Sequence, residues 1–84
     1  MANRRMFSLD IVDTDKFLEM PVSAQALYFH LGMHADDDGV VEAYPVMRLT
    51  RAAEDDLKIL ISKGFASMIT DDLVALRLTE EEIL

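Results

Sequence analysis

The sequence predicts an α+β domain, mainly helical, that ends in a β-hairpin. Three observations carry this. Ala24, Leu27, Tyr28 and Leu31 fall at i, i+3, i+4 and i+7, the spacing of one helix face; Leu57, Leu60 and Ile61 build a second such face; and "FASMITDDLVALRL" reads as two strands around Asp71-Asp72.

Taken in order, Phe7, Leu9 and Ile11 alternate with Ser8, Asp10 and Val12, so residues 1–12 are expected as an arm or short strand laid on the core. Residues 13–64 form the helical core. In "DTDKFLEMP", Asp13 or Thr14 caps a brief helix carrying Phe17 and Leu18, and Pro21 closes it because the residue before proline avoids the helical region. Ser23 is the expected cap of the main helix in "VSAQALYFHLGMHAD". Asp36 to Gly39 breaks that helix and turns the chain into a short strand at "GVVEA". Pro45 suits the first turn of a helical segment reaching about Leu49. Thr50 is a candidate cap for a helix from Arg51 to Lys63, and Gly64 suits the left-handed position that ends it. Residues 65–78 make the hairpin. Pairing Thr70 with Leu73 sets Ile69 opposite Val74, Ser67 opposite Leu76 and Phe65 opposite Leu78 on the core face. Thr79, with Glu82 three residues on, predicts the start of a further helix cut short at residue 84.

Size and composition bound the function. With 84 residues one domain is expected, and with no cysteine there are no disulfides, thiolate metal sites or thiol nucleophiles. No apolar run approaches the ~20 residues of a membrane span, and "MANRRMFSLDIVD" places Asp10 and Asp13 where a signal peptide needs its apolar stretch, so a cytoplasmic protein is expected. Sixteen acids against eight Lys and Arg give a net charge of −8, so the long-range field repels phosphate and any nucleic-acid contact must be local.

Two helices backed by a hairpin make a winged helix-turn-helix. The stretches "MANRRMFSLDIVDTDKFLEMP", "LYFHLGMHADDDG" and "EDDLKILISKGF" resemble the amino-terminal domain of phage replisome organiser proteins, found in phages and prophages of low-GC Gram-positive bacteria. The resemblance covers roughly residues 1–65. It implies a winged helix related in architecture to DnaD-type primosome proteins, acting at a phage replication origin and helping to bring in a helicase or helicase loader. Three departures stand out: His34 where an arginine is expected, Ala53 where a serine would cap the second helix of the motif, and a poorer match over residues 66–84.

The acids decide between partners. As a calcium loop, "HADDDGVVEAYP" puts His34 at the first ligand position and Pro45 at the twelfth, so it fails on two ligands. His30 and His34 stand four apart and offer a divalent-metal alternative, although no HExxH pattern supports it. Asp36-Asp37-Asp38-Gly39 reads as a capped turn, and Glu54, Asp55 and Asp56 as acids favoured by the positive end of a helix dipole. Those three, with Asp71 and Asp72 at the hairpin tip, put the wrong sign on the edges a winged helix pushes into a groove.

The basic candidates for DNA contact are Arg4, Arg5, Arg48 and Arg51. The outer hairpin face, with Ala66, Met68, Thr70, Leu73, Ala75 and Arg77, is more apolar than a solvated face usually is, and is the candidate for self-association unless the arm covers it. No Gly-rich phosphate loop or Ser–His–Asp setting points to catalysis, and no cofactor or small-molecule substrate is expected. The expected role is a replication module acting through protein assembly, with direct origin binding as the alternative.

Overall fold

A computed structural model describes residues 5–78. Eight elements follow in order: α1 (Leu9–Val12), α2 (Asp15–Leu18), α3 (Val22–His34), β1 (Val40–Glu42), α4 (Ala43–Thr50), α5 (Glu54–Ser62), β2 (Ala66–Met68) and β3 (Leu73–Leu76). The strands form one antiparallel sheet in the order β1-β3-β2, giving a small α+β domain. Among the described residues no helix is long and apolar enough to cross a membrane. The helix expected at Thr79 lies outside the described residues.

The arm is only half extended. Phe7 packs against the core while Met6 points to solvent, and Leu9–Val12 is a helical turn, because the Ser8 hydroxyl accepts the Asp10 N–H at 3.1 Å and the Ser8 carbonyl takes the N–H groups of Ile11 and Val12 at 3.0 Å. The turn breaks the alternation of Phe7, Leu9 and Ile11: Ile11 is buried while Leu9 is 71% exposed. Phe7 sits edge-on to Phe29 with ring centroids 5.0 Å apart. Gly32 makes room for it, since a Cβ there would come within 2.5 Å of the Phe7 ring. Thr14 caps α2 as expected and drives Phe17 into the core, edge-on to Tyr28 and Phe65 at 5.1 and 5.2 Å.

The face of α3 is the one its spacing predicts, with Ala24, Leu27, Tyr28 and Leu31 buried. Its start is not. Pro21 occupies the cap position without a side-chain bond, and Ser23 lies inside the first turn. Thr50 is likewise not the cap of α5. It ends α4, where its hydroxyl donates back to the Val46 carbonyl at 3.0 Å, and Arg51 then takes the left-handed conformation, φ 61°, that turns the chain. α5 starts after Ala53, three residues later than expected, and at its other end Gly64 follows the cap residue Lys63 at φ +86°.

The hairpin is shifted by one residue from the expected register. Ala66 pairs with Leu76, Ser67 with Ala75 and Met68 with Val74. A two-residue turn at Asp71-Asp72 would need positive φ at Asp71 or at both, and Arg51 is the one non-glycine residue with positive φ among those described. A longer loop forms instead: Ile69 N–H reaches the Leu73 carbonyl at 2.8 Å, and the Thr70 hydroxyl accepts the Leu73 N–H at 3.2 Å while donating to the Asp72 carboxylate at 3.0 Å. Because side chains alternate, a one-residue slip exchanges the faces of one strand.

Candidate functional site

At the start of α5 the three acids part company. Asp56 is only 7% exposed. One carboxylate oxygen accepts the Ser23 hydroxyl at 2.7 Å and the other accepts the Ala53 N–H at 3.2 Å, so this side chain ties the start of α5 to the start of α3. It does for Ala53, which has no acceptor of its own, half of what a capping box does. The expectation that Asp56 stands on a DNA-reading edge is therefore corrected. Glu54 and Asp55 remain exposed there, as do Asp71 and Asp72 in the hairpin loop.

The basic residues do not gather. Arg4 lies outside the described residues. Arg5 is half-buried, and one Nη donates to the Ala35 and Asp36 carbonyls at 2.8 and 2.9 Å, where cationic charge suits the end of α3. Its Nε is buried without a partner among the described residues. Arg48 and Arg51 are exposed on either side of the end of α4. Arg51 lines a cleft of about 420 Å³ with His30, Thr50, Ser23 and Asp56.

His30 and His34 are both exposed but open onto different clefts, since His34 faces one of about 710 Å³ with Asp36, Asp37 and Glu42. Among the described residues no group of three His, Cys, Asp or Glu side chains is placed to hold a metal ion. The aspartate triplet is a turn. Asp36 accepts the N–H groups of Asp38 and Val40 at 2.9 and 3.0 Å, and Gly39 takes φ +80° with a Cβ position only 3.1 Å from the Leu76 carbonyl.

The predicted self-association face does not exist as one face. Ala66 and Met68 share the side of their partners Leu76 and Val74, and Ala66 is buried at 5%. Leu73, Ala75 and Arg77 are half-buried, and alternation along β3 places them on the other side. The slipped register separates the set. Exposed apolar side chains remain on the hairpin, where Met68 and Ile69 are 41% and 53% exposed, and also lie on the outward side of α3, where Val22, Phe29 and Met33 are 79%, 36% and 40% exposed. Sequence reasoning passed over this stripe because it searched for the core face alone, yet "VSAQALYFHLGMH" contains no Asp, Glu, Lys or Arg. No family model, curated protein or solved structure matches this chain.

Proposed function

We propose that this chain is a winged-helix module of phage DNA replication that works in the bacterial cytoplasm mainly by protein assembly, with a helicase or its loader as partner. Helix, strand, two helices and a two-strand hairpin follow from α3 to β3, with β3 central in the sheet, an order that suits a winged helix with α5 as recognition helix and β2–β3 as wing. The resemblance of residues 1–65 to replisome organisers supplies the process.

The observation that carries the assembly reading is the exposure of Glu54 and Asp55 in the first turn of α5. That turn is the part a recognition helix places against base edges, and carboxylates there oppose the phosphate field. The second reading, direct origin binding, draws on Arg48 and Arg51, whose side chains are exposed around the α4–α5 turn, and on the inward placement of Asp56, which removes one acid from that edge.

Titration of a labelled duplex at low and at moderate salt separates the two. The assembly reading expects binding no tighter than the ~10⁻⁴ M end of non-specific association at moderate salt. Submicromolar binding with a steep salt dependence, lost in Arg48→Ala/Arg51→Ala, would establish the second reading in its place.

A further inference from the structure

We propose that the cleft between the end of α3, β1 and the start of α4 is a docking site for a segment of another protein that carries basic and apolar side chains together. The cleft holds about 710 Å³, a size at which a site can enclose a few side chains. Its reachable wall is apolar, since Val40 and Leu73 are half-buried and Pro45 is exposed. Its rim is acidic, with Asp36, Asp37 and Glu42 all exposed. Strand register brings wall and rim together. Glu42 pairs with Leu73, and alternation along β1 puts Val40 on the same side of the sheet. The Asp36 N–H donates to the Val40 carbonyl and its carboxylate accepts the Val40 N–H, both at 3.0 Å, which holds the aspartate triplet beside that strand.

Charge identifies the occupant. The negative end of α3 and the positive end of α4 both meet the cleft, so their dipoles largely offset and the three carboxylates decide its sign. Glu42 stands at the cap position of α4 without bonding it, which leaves its carboxylate available to a ligand. The chain's own Arg5 shows that a guanidinium fits this border, because its Nη donates to the carbonyls of Ala35 and Asp36, two residues that line the cleft, at 2.8 and 2.9 Å. At long range a net charge of −8 draws a basic segment and repels both nucleic acid and a second copy. The apolar wall sets the other requirement. An apolar side chain would cover Val40, Pro45 and Leu73 while an adjacent arginine or lysine meets the rim, so neither a purely basic nor a purely apolar segment fills the site.

The inference rests on the assembly reading, for which it names a contact, yet peptide binding and duplex binding are measured separately, so either can fail without the other. The probe is a short peptide of alternating leucine and arginine, titrated into the whole chain at low salt while backbone amide resonances are followed by NMR. Saturable shifts are expected at residues 36–42 and at Leu73, with affinity falling as salt is added. Glutamate in place of the arginines should abolish binding, and serine in place of the leucines should weaken it about tenfold or more. Asp37→Asn/Glu42→Gln is expected to weaken binding about tenfold through the loss of two exposed ion pairs, with the thermal midpoint unchanged. Glu54→Gln/Asp55→Asn removes the same charge from α5 and should change the affinity by less than about twofold. Shifts spread over every acidic surface, equal losses from the two double variants, or equal binding of the serine peptide would each mean attraction by net charge alone and overturn the proposal. Absence of saturable binding at millimolar peptide would overturn it as well.

Discussion

Asp36, Asp37 and Asp38 stand in a turn where all three side chains stay in solvent, whereas of Glu54, Asp55 and Asp56 the last turns inward against Ser23. The two triplets have nearly the same composition, and the difference lies in where their hydrogen-bond donors come from. Asp36 serves amides two and four residues ahead in its own turn. Asp56 serves one local amide and one hydroxyl thirty-three residues away. A local partner keeps a carboxylate at the surface, where it shapes the backbone and costs little desolvation. A distant partner brings the carboxylate between two helices, where removing it leaves groups unpaired.

That contrast can be broken by substitution. Asp56→Ala should be the most damaging change, lowering unfolding free energy by roughly 2–3 kcal/mol because a charge-assisted bond and a cap disappear together. Urea unfolding would read the loss, and Asp56→Asn should recover much of it; a loss below about 0.5 kcal/mol for the alanine variant would show the link to Ser23 to be incidental. Gly39→Ala comes next, at about 1–2 kcal/mol, since the residue must hold φ +80° with its Cβ against the Leu76 carbonyl. Asp36→Ala should cost about 1 kcal/mol through its two amide bonds, and Asp37→Ala less than about 0.5 kcal/mol, so comparing their thermal midpoints tests whether the turn depends on one aspartate or on all three. The smallest effect belongs to Glu54→Gln. It should cost a few tenths of a kcal/mol at low salt and less as salt is added, because an exposed acid meets only the screened end of the α5 dipole.

Helix faces and glycine positions were legible in the sequence, and the partner that each hydroxyl would choose was not. The spacing of Ala24, Leu27, Tyr28 and Leu31 named the buried face of α3, and Gly39 and Gly64 marked two positions of positive φ. Ser23 and Thr50 have the chemistry of caps but serve elsewhere, Ser23 on a carboxylate of α5 and Thr50 on the carbonyls of the helix it ends. The hairpin register depended on a hydroxyl, that of Thr70, which made a longer loop preferable to a two-residue turn that lacks glycine or asparagine. That shift of a single residue split the expected apolar face. At the amino terminus, Ser8 gave four alternating residues a helical turn where an extended arm was expected.

The outcome for the functional reading is that Asp56 leaves the edges a winged helix would turn to a groove, and that the acids still exposed on those edges are Glu54 and Asp55 of α5 and Asp71 and Asp72 of the hairpin loop. If their charge is what turns the domain from DNA towards proteins, its removal must be visible in DNA affinity. The direct measurement is titration of one duplex, at low salt, with the native chain and with the variant Glu54→Gln/Asp55→Asn/Asp71→Asn/Asp72→Asn, which leaves Asp56 in place. The account predicts negligible binding by the native chain and a gain of about tenfold or more in the variant, with a salt dependence contributed by Arg48 and Arg51. Tight binding by the native chain that the four neutral substitutions leave unchanged would contradict it.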